Sequence, residues 1–223
     1  MSTKDKILDA AELFFADKGF NGTSLREITS KAEVNLAAVN YHFGSKKELI
    51  KAVMSRYMNE LAPKLELSLH KLCNSSDDIS LEEVFTAFVE PLIWLNSFKD
   101  NGTSIFLQLL GRGYTDSQGF LRWFLTTQYP NVIRHFVSAV KKAYPELSAE
   151  EIFWRLHFTM GTIVFTMSSS DALIDIAASD FDKKIDISGV IYQVIPYVAA
   201  GVGAPIYTKK IETHQENCFV NIK

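Results

Sequence analysis

Three helix starts fall within 25 residues near the N-terminus, and this crowding limits the chain more than any other feature. Ser24-Leu-Arg-Glu27 and Ser45-Lys-Lys-Glu48 are both capping boxes, in which the serine oxygen takes an orphan N–H of the first turn and the glutamate reaches back. Between them Asn35 is a third N-cap, and Gly44 is placed to stop the helix that Asn35 opens. Only two short helices fit between these signals. Helices that short are marginal alone, so they must be held by packing. The preceding segment supplies a partner: Ile7, Ala10, Ala11 and Phe14 recur at helical spacing, Ser2 or Thr3 can cap its start, and Gly19 stands where a left-handed C-terminal cap is needed. A longer helix through Leu49, Ile50, Val53 and Tyr57 follows.

Two short helices joined by a tight turn and braced on both sides form a helix-turn-helix, whose second helix lies in the DNA major groove. The segment Leu36–Phe43 suits that place. Ala37 and Ala38 let the backbone approach base edges, Asn35, Asn40, Tyr41 and His42 carry hydrogen-bonding groups, and Val39 and Phe43 face inward as core. Asn40 can address an adenine edge with both its donor and its acceptor. Lys46, at the next helix start, is placed for a phosphate, and Lys47 less so. Charge follows the same division: residues 1–56 hold nine Lys/Arg against seven Asp/Glu, and residues 57–223 hold fourteen against nineteen.

Residues 7–50, with ILDAA, KGF, TS-x-R-E-I and YHFGSK-x-EL in order, resemble the DNA-binding domain of the TetR/AcrR family of bacterial repressors. The resemblance implies an all-α chain with a three-helix DNA-binding domain (1–50), a helical effector-binding and dimerisation domain (51–206) and a loose tail (207–223). It also implies a homodimer on near-palindromic double-stranded operator DNA. Carried over by position, Thr23 and Ser24 meet phosphate at a helix start, Asn35, Leu36, Ala37, Ala38 and Asn40 form the reading face, Tyr41 and His42 meet the backbone or groove floor, and Lys46 pairs with phosphate. Two positions depart from the family pattern. Glu33 stands where many members have Gly, at a strain cost of about 1 kcal/mol if φ is positive there, and Asn40 replaces an aromatic, so the operator sequence does not transfer.

The remaining chain reads as helices over 81–97, 103–113, 117–144, 148–169 and 188–203. Ser148-Ala-Glu-Glu151 is another capping box, with Pro145 in the linker before it. Residues 187–208 carry no charge, but Pro196, Pro205, Gln193 and three glycines favour a buried or interface helix, kinked at Pro196, over a membrane span. Ile152, Leu156, Thr159, Met160, Ile163, Val164 and Met167, with Gly161 allowing close approach, form an apolar surface that could pair with this helix across a dimer.

Aromatic residues make up 12% of the chain, which favours a large core or an apolar cavity. Segments SIFLQLLGRGYTDSQGFLR, IFWRLHFTMGTIVFTMSS and ALIDIAASDFD resemble PsrA-type regulators, TetR-like proteins that respond to long-chain fatty acids and control fatty-acid degradation genes. That resemblance implies a long-chain fatty acid or acyl-CoA as effector. An acyl tail gains about 0.8 kcal/mol per buried CH₂. Phe106, Trp123, Phe124, Trp154 and Phe158 are candidate walls, and Arg112, Arg155 and His157 candidate head-group partners, because each interrupts an apolar segment. A different apolar effector, as in efflux regulators, and a lipid carrier are the alternatives; the carrier leaves the capped helix-turn-helix without a purpose. GxGxxG, P-loop, HExxH, GxSxG and CxxC are absent, Ser138-Ala-Val-Lys141 lies alone in a helical pattern, and the five histidines show no metal spacing, so neither an enzyme nor a cofactor is expected. Cys73 and Cys218, without a secretory leader, fit a reducing cytoplasm.

Overall fold

The computed structural model describes residues 1–116 and 118–206; the tail expected over 207–223 lies outside them. Among the described residues there are helices and connections but no strand. The helices are α1 (Thr3–Gly22), α2 (Leu25–Ala32), α3 (Leu36–Phe43), α4 (Lys46–Asn74), α5 (Leu81–Thr86), α6 (Val89–Phe98), α7 (Gly102–Asp116), α8 (Gln118–Gln128), α9 (Pro130–Ala143), α10 (Ala149–Ser168), α11 (Ser170–Phe181) and α12 (Ile187–Val202).

The start signals hold. Ser2, Ser24, Asn35, Ser45 and Ser148 each accept a backbone N–H at a helix start. The box at Ser24 is complete, with Glu27 reaching back to the Ser24 amide. At the other two boxes the glutamate turns away, Glu48 to Lys51 and Glu151 to Arg155.

Prolines explain where helices break sooner than periodicity predicts. The stretch 117–144 is two helices, because Pro130 disfavours helical geometry at Tyr129 (φ −130°, ψ 50°) and then serves as the first residue of α9. The stretch 81–97 divides at Ala87–Phe88, since Pro91 has no N–H to return to the Ala87 carbonyl. In contrast, α4 continues through Pro63 to Asn74 and α12 continues through Pro196. Helix α11 was not foreseen: it is short, carries charge at Asp171, Asp175 and Asp180, and has no side-chain N-cap bond.

Helices α1–α3 and the start of α4 form the head. A continuous hydrophobic core runs from it into the body, from Ile7, Phe15, Ile28 and Val39 through Leu49, Tyr57 and Leu69 to Leu109, Phe124 and Val202. Helix α4 crosses position 50 without interruption and packs on α6, α7 and α9, while α1 packs on α7. Head and body therefore share one helix and one core.

Two polar devices secure α1 to the body. Gly19 (φ 79°, ψ 172°) interrupts α1 rather than ending it. The break exposes carbonyls on one side and amides on the other, and α7 answers both. Arg112 donates to the carbonyls of Ala16 (3.4 Å) and Asp17 (2.6 Å), and one Asp116 oxygen accepts the amides of Phe20 (2.7 Å) and Asn21 (3.2 Å). A Cβ at Gly19 would lie 2.7 Å from that same Asp116 oxygen. One turn earlier, Glu12 is fully buried and paired with Arg56 (3.4 Å) and Lys99, which also hold Asp9 (2.8 and 3.2 Å).

Candidate nucleic-acid interface and effector site

Helix α3 divides into two faces. Val39 and Phe43 are buried against the head, while Leu36 (44% exposed), Ala37, Asn40 and Tyr41 (86% exposed) lie on the outer side. Leu36–Asn40 and Ala37–Tyr41 are each four residues apart, so the outer residues form one stripe. Ala38 and His42 are half-buried at its margin, and the His42 ring meets Tyr41 edge-on at 5.1 Å. Asn35 is exposed, but its side-chain oxygen is held by the Ala38 amide at 2.9 Å, which leaves its amide nitrogen for other partners. Lys46 is the first residue of α4, where the orphan amides of a helix start already favour an anion. Glu33 has φ 55° and ψ 45°, the left-handed geometry that the departure at this position raises.

Thr23 is not a phosphate contact as placed here. Its side chain is buried, and its hydroxyl donates to the carbonyls of Phe14 (3.0 Å) and Gly19 (2.8 Å). Ser24 is exposed, but its amide and hydroxyl both donate to Glu27 at 2.8 Å. The Lys18 ammonium and the Ser24 donors hold the Glu27 carboxyl down at about 2. A phosphate at this helix start would have to displace a firmly ionised carboxylate.

The residues expected to share an effector pocket do not come together. Phe106 is core, stacked on Tyr57 with centroids 5.8 Å apart. Phe124 is core between Phe120 and Tyr129. Arg112 is the α1 clamp, and Arg155 donates to the carbonyls of Val202 and Ala204 at the end of α12. Trp154 (52% exposed) and Phe158 (65%) lie on the outer surface of α10, with Phe153 and His157 beside them. The expected dimer surface is likewise rotated: Ile152, Thr159, Val164 and Met167 are buried within the protomer, where α10 meets α7 and α12. The outward aromatics belong to the opposite side of the same helix. Spacing identifies both stripes of α10 but not which one the protomer keeps.

Three hollows remain. One of about 510 Å³ lies where the end of α1, the start of α4 and α8 meet, lined by Phe20, Asn21, Lys47, Ile50, Gly119, Phe120 and Trp123. A second, of about 680 Å³, lies between α10, α11 and α12, and a third, of about 380 Å³, surrounds Arg112 between α1 and α7. Of the expected effector residues, only Trp123 reaches the first and only Arg112 the third.

The family model for bacterial regulatory proteins of the tetR family matches residues 7–53, and that for the tetracyclin repressor-like C-terminal domain matches residues 86–201. The chain belongs to the TetR family. Its members are transcriptional regulators and not enzymes. Among curated relatives it is similar to the probable HTH-type transcriptional regulator YttP of Bacillus subtilis, 38% identical over 76 residues, which is 34% of this chain and 37% of that protein. It is also similar to the biofilm operon icaADBC HTH-type negative transcriptional regulator IcaR of Staphylococcus aureus, 44% identical over 46 residues, 21% of this chain and 25% of that protein. These matches thus span about a third and a quarter of the relatives' lengths.

Solved TetR-family structures share the fold at low identity. A putative tetR family transcription regulator from Shewanella sp. PV-4 superimposes with a TM-score of 0.57 at 18% identity, covering 89% of this chain and 96% of the other. The fatty acid degradation regulator FadR from Bacillus halodurans gives 0.54 at 16% identity, covering 92% and 96%. Among the described residues, no helix of this TetR-family chain is long and apolar enough to cross a membrane.

Proposed function

We propose that this TetR-family chain is a homodimeric repressor that places α3 of each protomer in successive major grooves of a near-palindromic operator. It releases the DNA when an apolar, anionic effector binds the body. The observation that carries the reading is the outer stripe of α3, where Leu36, Ala37, Asn40 and Tyr41 are exposed beside Lys46 while Val39 and Phe43 anchor the helix from behind. A helix displayed this way, on a head too small to need an exposed leucine and tyrosine for folding, is suited to groove contact. Asn35, Ala38 and His42 complete the edges, and Asn40 reads a base. The head is residues 1–50 and the body 51–206, with α4 as the shared helix.

The pairing surface is the outer side of α10–α12. Trp154, Phe158, Ile176, Tyr192 and Tyr197 are each at least half exposed in one protomer, and a second copy would cover them. The two recognition helices then lie about 34–36 Å apart, one DNA turn. Repression rather than activation is supported by IcaR, named a negative regulator. A long-chain fatty acid or acyl-CoA as effector is supported by the PsrA-like segments and by FadR, named a fatty acid degradation regulator. Such a protein works in the cytoplasm, where the operator is.

The test is fluorescence anisotropy on promoter DNA with a long-chain fatty acid and its CoA thioester titrated separately. Release by one of them supports the effector and identifies its head group. Tight DNA binding untouched by either removes the lipid from the reading and leaves the regulator.

A further inference from the structure

The hollow between head and body differs from the other two in its chemistry. Phe20 and Ile50 form one wall and Phe120 and Trp123 the other, so its lining is largely apolar. Its rim is cationic. The Lys47 ammonium stands 5.9 Å from the ring centres of both Phe120 and Trp123, and Lys51, one turn further along α4, stands 4.7 Å from Trp123. Lys51 is paired with Glu48, whereas Lys47 has no ion-pair partner among the described residues. Trp123 is 43% exposed, and the space beside Gly119 is open, with nothing within 4 Å of where a Cβ would stand. A volume of about 510 Å³ falls in the range of small-molecule sites, about 300–1,000 Å³.

We propose that this hollow is the site for an amphipathic carboxylate, whose head pairs with Lys47 and whose apolar body lies between Trp123–Phe120 and Phe20–Ile50. Lys47 then serves the body and not the DNA: its ammonium turns away from α3 toward α8. Its neighbour Lys46 stays at the helix start. The site would bear directly on DNA affinity, because it is built from the first two turns of α4, the helix that follows the recognition helix. A carboxylate bound there neutralises Lys47 beside the phosphate face and wedges α8 against the base of the head. By reciprocity, DNA weakens the carboxylate by the same factor that the carboxylate weakens DNA. This deepens the proposed regulator reading and rests on it for the DNA step, but the binding step stands alone.

The experiment separates the two. Trp94→Phe and Trp154→Phe, both at exposed positions, leave Trp123 as the only tryptophan. Dodecanoate below its micelle concentration is titrated into the free protein, with dodecanol as the uncharged control. The expected result is a saturable change in Trp123 emission with dodecanoate. Dodecanol binds about fivefold more weakly, the upper range for an ion pair at an exposed site. Lys47→Met removes that preference, and Gly119→Leu, which fills the open space, abolishes binding while leaving helical circular dichroism unchanged.

Saturable binding that neither substitution alters, or no binding of dodecanoate, overturns the proposal. A second titration follows the anisotropy of labelled promoter DNA. If Trp123 responds and no DNA is bound, the site stands and the regulator reading falls. If DNA is bound and Trp123 is silent, the regulator stands and the site falls.

Discussion

Asp116→Ala should loosen α1 without touching the DNA-facing residues. In the native chain one Asp116 oxygen accepts the Phe20 amide at 2.7 Å and the Asn21 amide at 3.2 Å, just beyond the break at Gly19. These amides are orphaned like those of a helix start, because the ladder behind them is interrupted. A hydrogen bond to a charged group contributes about 1.5–3 kcal/mol when water cannot replace it. The Phe20 bond is half-buried and the Asn21 bond exposed, so water recovers most of the second. The loss is then about 2 kcal/mol. Asp116→Asn keeps an acceptor and loses only the charge, for about 1 kcal/mol. For a chain of this length 1 kcal/mol moves Tm by roughly 2–4 °C, so the alanine variant should melt about 4–8 °C lower and the asparagine variant at about half that shift. Thermal unfolding followed by circular dichroism at one fixed protein concentration measures both, since a dimer's Tm depends on concentration. Amide exchange at Phe20 and Asn21 should quicken in step. A Tm within about 1 °C of the parent, with exchange at those two amides unchanged, would refute the argument that α7 holds the broken helix.

Other substitutions probe other parts of the account. Glu33→Gly relieves about 1 kcal/mol of left-handed strain and costs about 0.5 kcal/mol in unfolded-chain entropy, so a urea titration should show a net gain of about 0.5 kcal/mol. Lys99→Met leaves the buried Glu12 with Arg56 alone and should cost about 2 kcal/mol, below the range for a fully buried pair because both cations are partly exposed. The same cluster carries an acid dependence. Burial works to raise the Asp9 carboxyl, but hydrogen bonds from Arg56 and Lys99 outweigh it and hold the group below its ordinary value. Asp9 therefore contributes stability that is complete above its unfolded value, about 3.9, and is lost as pH falls through the lower folded value; Lys99→Met should flatten that decline in urea midpoints. Lys46→Ala should weaken all DNA alike and reduce the salt slope by about one, whereas Asn40→Ala should relax preference at one base pair per half-site by about 1–3 kcal/mol, both measured by anisotropy. Trp154→Glu with Phe158→Glu should give a folded monomer in sedimentation, and a dimer that persists would move the pairing surface elsewhere.

The head was legible in the sequence because its information is local. Ser24, Asn35, Ser45 and Gly44 act on residues within one turn of themselves, and Val39 and Phe43 declare the buried side of α3 by spacing alone. The body was not, because its site depends on which distant helices meet. Phe106 and Trp123 look alike in sequence, yet one is packed on Tyr57 and the other stands beside an open hollow. Arg112 interrupts an apolar segment as a head-group ligand would, but the groups it serves, the carbonyls of Ala16 and Asp17, lie over 90 residues earlier. Glu12 did leave a signal. It sits four residues from Leu8 and four from Ala16, on the buried stripe of α1, where a carboxylate requires cations from elsewhere. Breaks at Pro91 and Pro130 were readable from proline's missing N–H, and the unbroken course through Pro63 and Pro196 was not, since tertiary packing decides whether a helix survives one lost bond.

The central claim is that α3 of two protomers reads DNA. Selection of bound duplexes from a random pool by the purified protein, repeated with Asn40→Ala, tests it most directly. The account predicts enrichment of a two-fold-symmetric site whose half-site centres lie about one helical turn apart, with the alanine variant losing preference at one symmetric pair of positions and keeping the rest. Recovery of no enriched sequence, or of a site whose preferences Asn40→Ala leaves intact, would contradict it.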